Sequence, residues 1–124
     1  MPLKQLKPLN LLSFSKTRAG FFIVAALWSG SAVASPEAKA LLADKGCGAC
    51  HVIPGVKGAY GKMGPSLKNV NERGRIGAGA LENSPENMKR WLQNPKKVNQ
   101  GTLMPVPGFT DAEIDIVLQY FEKI

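Results

Sequence analysis

The most regular hydrophobic pattern lies near the end of the chain, where Ile114, Val117, Leu118 and Phe121 recur at i, i+3, i+4 and i+7. That spacing lines one face of a helix with apolar side chains. Its start is marked twice: Thr110 and Glu113 form a capping box, and Phe109 and Ile114 stand where a hydrophobic staple closes. A second stripe, Met88, Trp91 and Leu92, follows Ser84-Pro85-Glu86, so a helix is predicted from that proline start to about Asn94, where Pro95 stops it. A third, Ala38, Leu41 and Leu42, follows Ser35-Pro36-Glu37. Here the serine hydroxyl is expected to cap, and the helix to run into Cys47.

Between these helices the pattern breaks down. Residues 52–64 carry Pro54 and glycines at 55, 58, 61 and 64, and residues 73–79 are again rich in glycine. Both read as irregular loops, with Ser66 capping a short turn through Leu67 and Val70 between them, and a further loop precedes Phe109. No hairpin signal or alternating strand stands out. The fold class is therefore all-α, short helices joined by long loops, and loops of that length need something to pack on.

The amino-terminal stretch follows a different logic. Lys4, Lys7, Lys16 and Arg18 precede an uncharged run over 19–36 with its apolar centre at 21–28, and Ala32-Val33-Ala34 follows. A positive start, a short apolar middle and an A-x-A end predict a secretory signal peptide over residues 1–34, cleaved after Ala34, which leaves residues 35–124 as a periplasmic domain. The alternative is a retained membrane anchor, since the run approaches the ~20 apolar residues that span a bilayer. Gly20, Ser29, Gly30, Ser31 and Ser35 dilute it.

Residues 35–124 hold 12 basic and 9 acidic side chains, so the charge of +7 for the whole chain falls to +3. That balance, without interleaved aromatics, gives no sign of nucleic-acid binding. Composition, at 44% hydrophobic, is that of an ordinary globular protein. A secreted domain of 90 residues buries a modest core and usually carries a staple, whether disulfide, metal or cofactor.

Cys47-Gly48-Ala49-Cys50-His51 uses every cysteine and the only histidine of the chain. In c-type attachment two thiols add to the vinyl groups on one edge of a haem, and the adjacent imidazole turns to the iron. Two intervening residues on a helical turn give that span, and the small Gly48 and Ala49 keep the backbone close to the ring. Three other readings use the same residues. A zinc site wants four ligands and has three here. A thioredoxin-like dithiol follows a strand in an α/β pattern, which is missing. A disulfide between residues three apart closes too small a loop to stabilise much.

From this motif onward the chain resembles the class I cytochrome c family across residues 36–124. The attachment motif near the mature start, Gly64-Pro65 downstream, Met104-Pro105 in the late loop and a capped final helix come in that family's order. The resemblance implies a fold wrapped around one covalent haem c, with the first and last helices crossing near Leu42 and Tyr120. It also implies that the Pro65 carbonyl receives the second ring N–H of His51. Trp91 is implied near a propionate, its alternative being a packed core residue. Arg73 and Arg75 are candidates for the same contact or for the solvated surface.

With one histidine, a bis-histidine iron within the chain is excluded. Of the remaining methionines, Met88 shares a helical stripe with Trp91 and Leu92, and Met63 lies too close to His51 to cross to the far haem face. Met104, followed by Pro105 in an inter-helix loop and at the family's Met-Pro position, is the candidate sixth ligand. A closed His/Met iron makes the chain an electron carrier rather than an enzyme, shuttling between respiratory or dehydrogenase partners. The alternative is a haem enzyme or a gas or redox sensor with a displaceable sixth ligand. Lys45, Lys57, Lys62, Lys96 and Lys97 flank the expected haem edge and offer a basic face to an acidic redox partner.

Overall fold

The computed structural model describes residues 35–124; the expected signal peptide, residues 1–34, lies outside the described residues. Among the described residues four α-helices run in chain order: α1 (Pro36–Asp44), α2 (Pro85–Gln93), α3 (Pro95–Val98) and α4 (Asp111–Phe121). Helix α4 packs against both α1 and α2, so the first and last helices meet as expected. Ala38 and Leu42 of α1, Met88 and Leu92 of α2, and Ile114, Val117, Tyr120 and Phe121 of α4 form the buried centre. Burying a Leu, Ile or Val side chain stabilises by about 1.5–3 kcal/mol, and this junction accounts for most of the core. Among the described residues no helix is long and apolar enough to cross a membrane.

The start signals behave unequally. Thr110 accepts the Glu113 N–H while the Glu113 carboxylate accepts the Thr110 N–H, which completes the capping box of α4. Ser84 caps α2 through the Asn87 N–H. Ser35 makes no side-chain cap to α1, whose start rests on Pro36 and Glu37 alone. Pro95 ends α2 and also begins α3, whose first turn is capped by the Asn94 side chain at the Lys97 N–H. On α4, Leu118 stays partly exposed and Tyr120 takes the buried place.

Two further differences matter for the site. Helix α1 stops at Asp44, and Gly46 at φ 71 turns the chain so that the cysteines start a separate 3-10 turn, Cys47–Ala49. A small hairpin also interrupts the all-α pattern: β1 (Arg75–Ile76) pairs antiparallel with β2 (Leu81–Glu82), Arg75 opposite Glu82 and Ile76 opposite Leu81. Gly77 at φ 62 and Ala78 at φ 57 carry its tight turn. Strands of two residues are too short to show a period of two, which is why the pattern did not announce them.

Candidate functional site

The cysteine motif sits on a turn closed by its own backbone. The Cys50 N–H donates to the Cys47 carbonyl at 3.2 Å and the His51 N–H to the same carbonyl at 3.0 Å. This tightens the segment so that the thiols three positions apart rise from one turn. Both thiols are free and partly buried. Burial pushes the Cys47 thiol above its ordinary range, which keeps it protonated at neutral pH.

Residues 52–67 then fold back over the motif. The Gly61 N–H donates to the Gly48 carbonyl at 3.0 Å, Gly64 to Cys50 at 2.7 Å and Leu67 to Val52 at 2.8 Å. Three glycines are required by this approach. A Cβ on Gly48 would stand 2.8 Å from the Ala59 backbone, one on Gly61 would overlap the Ala49 carbonyl, and one on Gly64 would overlap the His51 ring. Gly48 is thus small because it packs on Ala59, while Ala49 points to solvent.

The result of this fold-back is the position of the imidazole. His51 Nδ1 lies 2.6 Å from the Pro65 carbonyl oxygen. A carbonyl only accepts, so Nδ1 carries the proton of the neutral ring and Nε2 is left with its lone pair. The loop is anchored at its far side by Tyr120, whose hydroxyl donates to the Pro54 carbonyl. No local signal in the sequence links Tyr120 to Pro54, and that anchor was not foreseen.

The other candidates fall in separate places. Met88 is buried in the core and Met63 is 76% exposed. Met104 is half-buried against the core, and its N–H donates to the Thr102 hydroxyl at 3.1 Å. A threonine two residues before the methionine is a legible turn signal that the sequence reading passed over. Trp91 is half-buried and stacks over Gly77, where a Cβ would stand 2.9 Å from its ring. The Arg73 guanidinium donates to the Ser66 carbonyl, and Arg75 Nε to the Gly79 carbonyl at 2.8 Å.

Of the five lysines expected on a docking face, Lys57, Lys62, Lys96 and Lys97 are exposed and Lys45 is partly buried. Lys45 and Lys96 reach back to the late loop. Lys45 Nζ donates to the Gly108 carbonyl at 2.8 Å, and Lys96 Nζ to the Thr102 carbonyl at 3.0 Å.

The donor set discriminates among the readings of the motif. Among the described residues no group of three His, Cys, Asp or Glu side chains comes together to hold a metal ion, and a structural zinc site wants four. Two free thiols on one turn, an imidazole with Nε2 open, and the partly covered apolar side chains of Leu67, Leu81, Trp91 and Met104 fit a covalent haem.

The cytochrome c family model matches residues 35–124. The chain belongs to the cytochrome c family. Membership implies haem c as the cofactor. Among curated proteins, it is similar to cytochrome c oxidase subunit 2 of Alkalihalophilus pseudofirmus, 29% identical over 89 residues, 71% of this chain and 25% of the relative. The same subunit of Bacillus sp. strain PS3 is 33% identical over 85 residues, covering 65% of this chain and 24% of the relative. That of Bacillus subtilis is 30% identical over 92 residues, covering 71% and 26%. This chain spans about a quarter of the length of these relatives. No solved structure gives a significant match.

Proposed function

We propose that this cytochrome is a one-electron carrier of the periplasm, with one haem joined to Cys47 and Cys50 and its iron held by His51 and Met104. The observation that carries this reading is the 2.6 Å contact from His51 Nδ1 to the Pro65 carbonyl beside two free thiols. It fixes the tautomer, orients the ring and leaves Nε2 for iron. When bound, the haem supplies a one-electron couple between ferric and ferrous iron. The chain's own work is to hold the thiols on one turn, aim the imidazole and keep water from the iron with partly buried apolar side chains. A thioether paired with an imidazole would favour the ferrous state and raise the potential.

The leader ending in Ala32-Val33-Ala34 supports export. The relatives, named as oxidase subunits, support a respiratory complex as the exchange partner. Trp91 supports a propionate by its half-buried position near the hairpin.

The experiment is acid and organic extraction of the natural protein, followed by peptide mass analysis and carbon monoxide addition to the reduced form. The haem is expected to stay with the peptide spanning residues 47–51, and the reduced protein to remain closed to carbon monoxide. Extractable haem with both thiols free overturns the attachment. Rapid carbon monoxide binding by the unmutated protein replaces the carrier with an enzyme or sensor.

A further inference from the structure

The loop bearing Met104 is fastened unequally at its two ends. On the entry side Thr102 uses all its polar groups. Its N–H donates to the Asn99 carbonyl at 3.1 Å, its carbonyl accepts from Lys96 at 3.0 Å, and its hydroxyl accepts the Met104 N–H at 3.1 Å. Asn99 adds a bond from its side chain to the Gly77 carbonyl at 3.3 Å, tying this end to the hairpin.

The exit side is different. Pro105 and Pro107 have no N–H to give. Among the described residues the backbone of 105–109 makes one hydrogen bond, from Lys45 Nζ to the Gly108 carbonyl at 2.8 Å. The same ammonium stands 3.7 Å from the Glu113 carboxylate and 5.5 Å from the centre of the Phe109 ring. Lys45 caps the end of α1, two residues before Cys47. One side chain therefore joins the segment that carries the thiols to the segment that follows Met104, across 63 positions of sequence. Its side chain is 25% exposed, so water competes only in part for the contact.

We infer that Lys45 is a positioning residue for Met104: its ammonium latches the exit of the loop and so holds the methionine sulfur in place. The inference rests on the reading of Met104 as the sixth ligand. A charged donor on a carbonyl is among the stronger hydrogen bonds of a protein, and its removal leaves the exit segment with no hydrogen bond at all. The methionine then swings on a loop secured at its entry alone, and external ligands reach the iron more often. Lys45→Arg keeps both charge and donors, whereas Lys45→Gln shortens the reach and loses the charge.

The test uses the haem-loaded ferric protein with imidazole as the probe, read as the rate of ligand entry, together with amide hydrogen exchange. Lys45→Gln is expected to speed imidazole entry by about tenfold, the factor that corresponds to roughly 1.4 kcal/mol. Lys45→Arg is expected to return the rate to within about twofold of the natural protein, since the donor is restored. Exchange at Met104, whose N–H is held by the Thr102 hydroxyl, should quicken in Lys45→Gln, while Met88 and Leu92 of α2 hold their protection. Glu113→Gln, which keeps the Gly108 bond, should leave entry slow. Unchanged entry in Lys45→Gln, or equal quickening of exchange in α2, overturns the latch. Met104→Ala is the separate arm for the ligand itself. If it opens the iron and Lys45→Gln does not, the latch alone fails; if Met104→Ala changes nothing, the ligand reading fails and the latch with it.

Discussion

The two loops that flank the site are held in opposite ways. Residues 52–67 are stitched by main-chain hydrogen bonds to the cysteine motif and bury Ile53, Val56 and Ala59. Residues 99–109 bury none of their side chains and hang on the side chains of Asn99, Thr102, Lys96 and Lys45. Leu103 and Val106 remain 84% and 49% exposed. The difference teaches where each loop is vulnerable. A main-chain ladder tolerates varied side chains but needs glycine wherever two backbones touch. A loop held by side chains tolerates backbone change and fails when one donor is lost.

The sharpest test of that contrast exchanges one glycine in each loop for alanine. Gly61→Ala drives a Cβ into the Ala49 carbonyl, and the backbone has no room to yield. It should cost about 3 kcal/mol or more in urea unfolding. Gly101→Ala meets only the Asn99 side-chain oxygen at 3.5 Å, an ordinary contact, and should stay within about 0.5 kcal/mol. Equal losses would break the comparison.

Met104→Ala probes the second loop through its chemistry. The reduction potential should fall by on the order of 0.2 V, part of the roughly 0.8 V over which axial ligands set haem potentials. Exchange protection at Gly61 and Gly64 should not change, because those amides are held by the first loop's own ladder. Potentiometry and hydrogen exchange on the same sample check both halves.

Tyr120→Phe removes the bond that anchors the first loop at Pro54 and should cost about 1 kcal/mol at neutral pH. Burial raises the Tyr120 phenol above its ordinary value of 10.0. Its neutral form is thus favoured by folding, so this contribution is complete below pH 10.0 and is lost as pH climbs through the raised value. The alkaline fall in stability should be shallower in Tyr120→Phe, as urea midpoints across that range would reveal.

The smallest effect belongs to Glu113. The Thr110 N–H, and after it the nearby Lys45, hold its carboxyl below the ordinary 4.5. A lowered value means stability present above pH 4.5 and lost as pH falls through the folded value. Glu113→Gln should flatten that acid slope without altering the first loop, and a steeper slope would contradict the capping geometry.

Much of the scaffold was legible because its signals are local. The Thr110 and Glu113 box, the Ser84 cap and the stripe of Ala38 and Leu42 each lie within one or two helical turns. The hairpin was not, since its turn places Ala78 at φ 57, a conformation that alanine does not advertise. The glycines at 48, 61 and 64 read as loop punctuation in one dimension and prove to be points of backbone contact in three. Lys45 and Lys96 read as surface charge because nothing near them in sequence names the carbonyls they meet.

By itself the sequence marked the groups proposed to carry the chemistry and determined where the helices begin. Thiol, imidazole and thioether reactivity belongs to side chains, and caps act over three or four residues. Only the tertiary structure decided what orients those groups: Pro65 for His51, Gly108 for Lys45 and Pro54 for Tyr120, at separations of 14, 63 and 66 residues. Each of those partners is a backbone carbonyl, which every residue possesses, so no pattern of residue types marks it and folding alone selects it.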